Sequence, residues 1–223
     1  MPHILITGAN RGIGFELTRQ LIARGDTVTA IVRHRSAALD TLGCQVIDGV
    51  DLTDSTSRQY AKTQLAGQPF DALFNVAGLL TDESLGAFDD AAAERIRTQF
   101  EINAVVPLQL SALFGDQLAS PGKLIMLTSR MGSIADNSSG GRYGYRMSKA
   151  ALNAAAKSLA IDLRERGIAV GVFHPGWVQT DMTGHSGHLT AAESARLLLA
   201  RYDELTLETS GVFVHANGEE LPW

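Results

Sequence analysis

The stretch "HILITGANRGIGFELTRQLIARG", residues 3–25, decides how the chain is read. "HILIT" is a short apolar run ending in Thr7 and Gly8. From residue 13 onward, Phe15, Leu17, Leu21 and Ile22 recur at helical spacing, and Gly25 follows the last turn. Between strand and helix, "TGANRGIG" places Gly8, Gly12 and Gly14, with Asn10, Arg11 and Ile13 among them. Glycine tolerates positive φ and lets the backbone approach a ligand closely. The helix start then offers free N–H groups and a positive dipole end to a pyrophosphate. A glycine pattern alone is weak, and a tight structural turn is the plain alternative. This one sits at the first strand-to-helix turn, where a dinucleotide-binding mechanism needs it.

Working outward, strand-like and helix-like segments alternate to the C-terminus. "TVTAIV" (27–32), "CQVID" (44–48), "DALFNVAG" (71–78), "KLIMLTS" (123–129), "IAVGVFHPG" (168–176) and "GVFVHA" (211–216) read as strands. Residues 54–66, 89–118, 143–166 and 190–202 read as helices. Such alternation, with continuously apolar strands, predicts an α/β fold: a doubly wound sheet of about seven parallel strands with helices on both faces. No repeat or linker interrupts residues 1–223, so one domain is expected. The Gly- and Ser-rich loops 131–144 and 182–190 follow strand C-terminal ends, where open α/β sheets bind ligands.

The composition excludes several classes. A formal net charge of −5 with no basic run argues against nucleic acid. The opening residues carry no basic leader and only a four-residue apolar core, and no long apolar run suggests a membrane span. A cytoplasmic protein is expected. One cysteine, Cys44, permits no internal disulfide and reads as a small apolar strand residue.

The Gly8, Gly12, Gly14 spacing, preceded by Thr7, resembles the short-chain dehydrogenase/reductase family, whose domain is Rossmann-like. At the end of the second strand, "AIVRHR" carries no carboxylate to hold a ribose 2′-OH. Arg33 can grip a phosphate bidentately, and Arg11 adds a second charge. In the family this pairing implies NADP(H), while Arg35 reads as a solvated basic residue. Asp51 in "VDLTD" resembles the family aspartate that meets the adenine, and Asp54 reads as a helix N-cap. "NVAG", with Asn75, Ala77 and Gly78, resembles the family's Asn-Asn-Ala-Gly, Val76 replacing the second Asn.

The reacting end is carried by "GGRYGYRMSKAALN", residues 140–153. Tyr145 lies four residues before Lys149, on one helical face, whereas Tyr143 lies off it. A phenol titrates near about 10, and a neighbouring ammonium stabilises the phenolate, so the expectation is a lowered Tyr145 pKa and an acid/base pair. Ser129 ends the fifth strand, where a hydroxyl can hold a substrate carbonyl oxygen. Asn103 precedes Pro107 by four residues, so its carbonyl loses a helical donor. A simple kink explains that; the resemblance implies instead a water held there, linking the lysine to solvent. In "HPGWVQTDM", Pro175, Gly176, Val178 and Thr180 resemble the segment that orients the nicotinamide. His174 reads as a packed strand-end residue, and His185 with His188 lack a third metal ligand.

The resemblance spans nearly the whole chain. "YRMSKAALN", "HPGWVQTDM" and the terminal "GEELPW" narrow it to the C-factor and sniffer-like carbonyl reductase branch. It implies hydride transfer between NADP(H) and a small-molecule carbonyl or alcohol, with Ser129, Tyr145, Lys149 and Asn103 catalytic. Two other readings stand beside it: an NADP(H)-binding sensor or signalling protein of the same fold, and a sugar epimerase or dehydratase, which would require a longer C-terminal region. Family members form dimers and tetramers through long helices. The alanines of "AALNAAAKSLAIDL" suit a homodimer or homotetramer contact, and core packing accounts for them equally.

Overall fold

The structure, a computed structural model, describes residues 1–223. Its strands are β1 (His3–Thr7), β2 (Thr27–Ile31), β3 (Gln45–Ile47), β4 (Phe70–Asn75), β5 (Leu118–Leu127), β6 (Ile168–His174), β7 (Val178–Gln179), β8 (Leu189–Thr190) and β9 (Phe213–His215). Seven of them form one sheet in the order β3-β2-β1-β4-β5-β6-β9, and every neighbouring pair is parallel. The helices are α1 (Gly12–Ala23), α2 (Ala37–Asp40), α3 (Ser55–Gln64), α4 (Asp90–Phe100), α5 (Val106–Phe114), α6 (Tyr143–Asp162) and α7 (Ala191–Glu204). This is a Rossmann-like α/β fold.

Strand alternation builds two cores. Leu5, Leu73, Leu124 and Val170 point to one face and pack with Leu110 and Phe114 of α5 and Leu152 and Ala156 of α6. Ile4, Ile6, Phe74 and Phe173 point to the other and pack with Leu17 and Leu21 of α1 and Leu198 and Tyr202 of α7. A period of two along each strand thus feeds both helix layers.

Most helix starts are capped by their own sequence. Asp54 accepts from Thr56 and Ser57 N–H at the start of α3, as expected, and Asp89 accepts from Ala92 N–H at α4. At α7, Thr190 and Glu193 hold each other's backbone N–H in a reciprocal box. Arg11 before α1 and Arg142 before α6 provide no such side-chain cap. Those two helices are the ones that face the site.

The structure departs from the sequence reading in three places. The expected helix over 89–118 is α4, then a π-helical turn over Glu101–Val105, then α5. Pro107 cannot donate backward and its ring crowds the preceding turn, so the ladder widens there. Strand β5 begins at Leu118, paired with Phe70, rather than at Lys123. Ser120, Pro121 and Gly122 look like a turn, but a register shift between Phe70 and Ala72 absorbs them. The helix expected to reach 166 ends at Asp162 and continues only as a 3₁₀ turn, Arg164–Arg166, before Gly167 at φ +70°. The short α2 and the β7–β8 pair carry too few residues to show a period. No helix is long and apolar enough to cross a membrane.

Candidate active site

The strand order reverses between β1 and β4, which opens a crevice at their C-terminal ends. β1 delivers the glycine turn to it. Gly8 (φ +71°) lies so close to the next loop that a Cβ would stand 2.9 Å from both Cα and N of Ala77. A Cβ on Gly14 would stand 2.2 Å from the Gly8 carbonyl oxygen, so α1 can lie against β1 only as glycine. Gly12 (φ +56°) faces the Thr180 methyl, which a Cβ would meet at 3.4 Å. Asn10 accepts the Ser36 hydroxyl at 2.9 Å through its carbonyl, and Ile13 packs on the core beneath α1. Thr7, to which the sequence reading assigns no role, binds the two loops together. Its Oγ1 accepts from Val76 N–H at 3.1 Å and Ala77 N–H at 3.2 Å.

Charges surround this turn. Arg33 is exposed beside Asp51. The Thr53 hydroxyl and N–H hold the Asp51 carboxyl below the usual range, and the Arg33 guanidinium lowers it further. Arg35 is engaged by Asp40 at 3.1 Å and Asp48 at 3.7 Å. Arg11 pairs with Asp181 at 2.8 Å and so reaches across the crevice rather than standing beside Arg33. His185 Nε2 holds the other Asp181 oxygen at 3.1 Å. His188 packs edge-on to Trp177, 4.9 Å between centroids.

The reacting side is built from β4, β5 and α6. Ser129 lies two residues beyond β5, at the start of a 3₁₀ turn, and is buried, its hydroxyl accepting from Met131 N–H at 3.1 Å. Thr128 points away and donates to Asn153 of α6 at 2.6 Å. Tyr145 and Lys149 are both buried one turn apart, with Lys149 Nζ 5.8 Å from the phenol ring centroid. Lys149 donates to the Leu127 carbonyl at 2.8 Å. Gly78 closes the group, since a Cβ there would meet Asn103 Oδ1 at 3.2 Å and Lys149 Nζ at 3.9 Å. Asn103 is fully buried. Its side chain accepts from Leu79 N–H at 2.8 Å and donates to Leu79 O at 2.7 Å and Ser148 Oγ at 3.0 Å. Tyr143 is half-buried at the mouth.

Electrostatics correct one expectation. Burial pushes the Tyr145 phenol up to about 12, with Ser129 and Arg142 opposing it only in part. Burial likewise pushes Lys149 down to about 7. Desolvation disfavours the charged form of each, and neither shift carries a contribution from the other group.

The segment after β6 covers the crevice. The Pro175 carbonyl accepts from Ser194 at 2.8 Å, and Gly176 sits at φ +88°. Val178 is buried with its carbonyl taken by the Thr183 hydroxyl at 2.6 Å. Burial first, then His215 and Arg130, push His174 down to about 3, so it is a neutral packed ring. Burial also raises the Cys44 thiol, which packs at the edge of the core.

These residues fit a nicotinamide dinucleotide. The start of α1 is uncapped beneath a positive-φ glycine, Arg33 is exposed at the end of β2, and the buried Asn75 Oδ1 has no partner. A parallel sheet with this cleft and a buried Ser, Tyr and Lys group defines a class of oxidoreductase. Residues 2–189 match the profile of the family described as short chain dehydrogenase, and the chain belongs to that family. The 1-hydroxy-2-glutathionyl-2-methyl-3-butene dehydrogenase of Rhodococcus sp. (strain AD45) is 38% identical over the full length of both chains. C-signal of Myxococcus xanthus is 44% identical over 72% of this chain and 97% of its own. Among solved structures, carbonyl reductase Sniffer of D. melanogaster superposes with a TM-score of 0.91 at 30% identity, covering all of both chains. An NADPH-bound carbonyl reductase from chicken fatty liver gives 0.88 at 27% identity, over 100% of this chain and 99% of that one.

Proposed function

We propose that the chain is a one-domain, NADP(H)-dependent reductase of small carbonyl compounds. The observation that carries this is the meeting of Asn103 and Lys149 at Gly78, with the Tyr145 ring centroid 5.8 Å from Lys149 Nζ and its hydroxyl beside Ser129, at the C-terminal edge of the sheet. When bound, NADPH supplies the hydride. Gly8, Asn10, Arg11, Gly12, Ile13 and Gly14 hold its pyrophosphate against α1, Arg33 its 2′-phosphate and Asp51 its adenine side. Asn75, Ala77, Gly78, Pro175, Gly176, Val178 and Thr180 hold the nicotinamide half. Ser129 donates to the substrate carbonyl oxygen. Tyr145 gives its proton to the alkoxide that forms, and a proton from solvent, passed through a water at the Asn103 carbonyl and Lys149, restores it. A phenol near 12 is protonated at neutral pH, as a proton donor must be.

The test is oxidation of NADPH, and separately of NADH, with a panel of ketones, aldehydes and quinones, with Tyr145→Phe alongside. Likeness to the Rhodococcus dehydrogenase adds a glutathionyl alcohol to the panel in the oxidative direction. Turnover that prefers NADPH and is lost in Tyr145→Phe supports the proposal. Likeness to C-signal favours a second reading, an NADP(H)-binding signalling protein. Tight NADPH binding without turnover on any substrate would select it.

A further inference from the structure

Glu83 is a carboxylate sealed into the loop between β4 and α4, 7% exposed, and no step of the proposed chemistry uses it. Three donors converge on it. Its Oε1 accepts from Gln99 Nε2 at 2.7 Å and Thr81 Oγ1 at 2.9 Å. Its Oε2 accepts from the Gly144 backbone N–H at 3.1 Å. Gln99 is itself fully buried and fixed in orientation, because its Oε1 accepts from Thr81 N–H at 3.0 Å.

Gly144 is the second residue of α6, and Tyr145 is the third. Arg142, at the N-cap, sits in the left-handed region (φ +50°) and gives the helix no side-chain cap. Glu83 therefore supplies, from 61 residues away, the acceptor that α2, α3, α4 and α7 take from their own N-cap side chains. The approach is close enough to require glycine: a Cβ at 144 would stand 2.4 Å from Gln99 Nε2 and 3.2 Å from Glu83 Oε1. The other side of the same turn is held separately. Ser148 donates to the Tyr145 carbonyl at 2.8 Å while accepting from Asn103 at 3.0 Å. The phenol thus projects from a turn clamped at both edges.

We infer that Glu83, oriented by Gln99, is a positioning residue that sets the first turn of α6 and with it the aim of the Tyr145 hydroxyl. This rests on the reading of Tyr145 as the proton donor. The chemistry demands a group that only accepts, since all three neighbours donate. Glu83→Gln places an NH₂ against one of those donors. Adding Gln99→Glu restores the match by exchanging the two groups. The amide nitrogen now at position 83 donates to the carboxylate now at position 99. That carboxylate still accepts from Thr81 N–H, and the amide oxygen at position 83 accepts from Gly144.

The experiment compares wild type, Glu83→Gln and Glu83→Gln/Gln99→Glu, at a temperature where thermal melts show each fully folded. The expected result for Glu83→Gln is a kcat loss on the order of ten- to a hundredfold, as for a small misplacement of a reacting group. KM for the carbonyl and the Kd for NADPH stay within about twofold, because both would be set elsewhere in the crevice. Adding Gln99→Glu recovers most of the loss. Turnover within about twofold of wild type, or a loss that Gln99→Glu does not reverse, overturns the inference. Amide exchange over residues 143–148 separates it from the function itself. If no carbonyl is turned over by wild type, the reductase reading fails. Faster exchange in Glu83→Gln, reversed by Gln99→Glu, then still supports the clamp, and unchanged exchange overturns it.

Discussion

Lys149 Nζ donates to the Leu127 carbonyl oxygen at 2.8 Å, which buries an ammonium at the end of β5. The folded chain holds this group near 7, against an ordinary 10.5. Between those values the unfolded chain binds the proton and the folded one sheds it, so stability rises as pH rises through that window. Tyr145 acts oppositely above 10, where the folded phenol keeps a proton that the unfolded one loses. The Cys44 thiol, raised above its ordinary 9.0, acts as Tyr145 does, so the clear interval is pH 7 to 9. Denaturant unfolding of the cofactor-free protein should gain up to ~1.4 kcal/mol per pH unit there. Lys149→Met should flatten that slope; an equal slope in the variant would assign it to other groups.

Arg33 is exposed at the end of β2 with no acidic residue among its immediate sequence neighbours. Arg33→Asp should weaken NADPH by roughly tenfold or more, the scale of a lost charge-assisted contact, and leave NADH nearly unchanged. Fluorescence titration with each nucleotide measures the ratio. An unchanged ratio would remove Arg33 from the 2′-phosphate site.

Asn103 joins Leu79 and Ser148 through three side-chain hydrogen bonds, fully buried. Asn103→Ala should cost ~1–3 kcal/mol of stability from the partners left unpaired. It should also lower turnover and move the pH profile, since Lys149 lies beside it. A variant that is merely less stable, with an unmoved profile, would reduce Asn103 to a loop anchor.

Gly14 and Gly86 make a matched pair. A Cβ at 14 would strike the Gly8 carbonyl at 2.2 Å, whereas at 86 the nearest atom is Ser84 Oγ at 3.9 Å. Gly14→Ala should lose ~1–3 kcal/mol or more, together with nucleotide binding, and Gly86→Ala should be near neutral. Thermal melts with and without NADPH compare them.

Much of this is legible in the chain itself. The glycine turn and the apolar strands announce the sheet because each signal is local: a period of two, a period of 3.6, a glycine where φ turns positive. Ser129, Tyr145 and Lys149 are legible because their order matches a known family. What stays hidden is non-local. Arg11 pairs with Asp181 across 170 positions, and Glu83 reaches Gly144 across 61, and no spacing rule reports either. The direction of the Tyr145 shift is hidden too, because sequence shows a neighbouring charge but not how dry the pocket is. The break in the helix after Phe100 leaves only Pro107 as a sign, and proline alone does not distinguish a kink from a widened turn.

That widened turn has a consequence for how the chain can vary. A π-helical turn carries one residue more than an α-helical one, so everything beyond it is rotated by about 100°. Leu110 and Phe114 reach the core only in that rotated phase. Removing a single residue from 101–105 would swing them off the core and set the smaller Ser111 and Gly115 in their places. The exposed loop at 134–140 has no such phase to keep. Length changes are therefore tolerated at the mouth of the crevice and forbidden in the helix behind it, so loops at the mouth can diversify while the frame carrying Asn103 keeps its length.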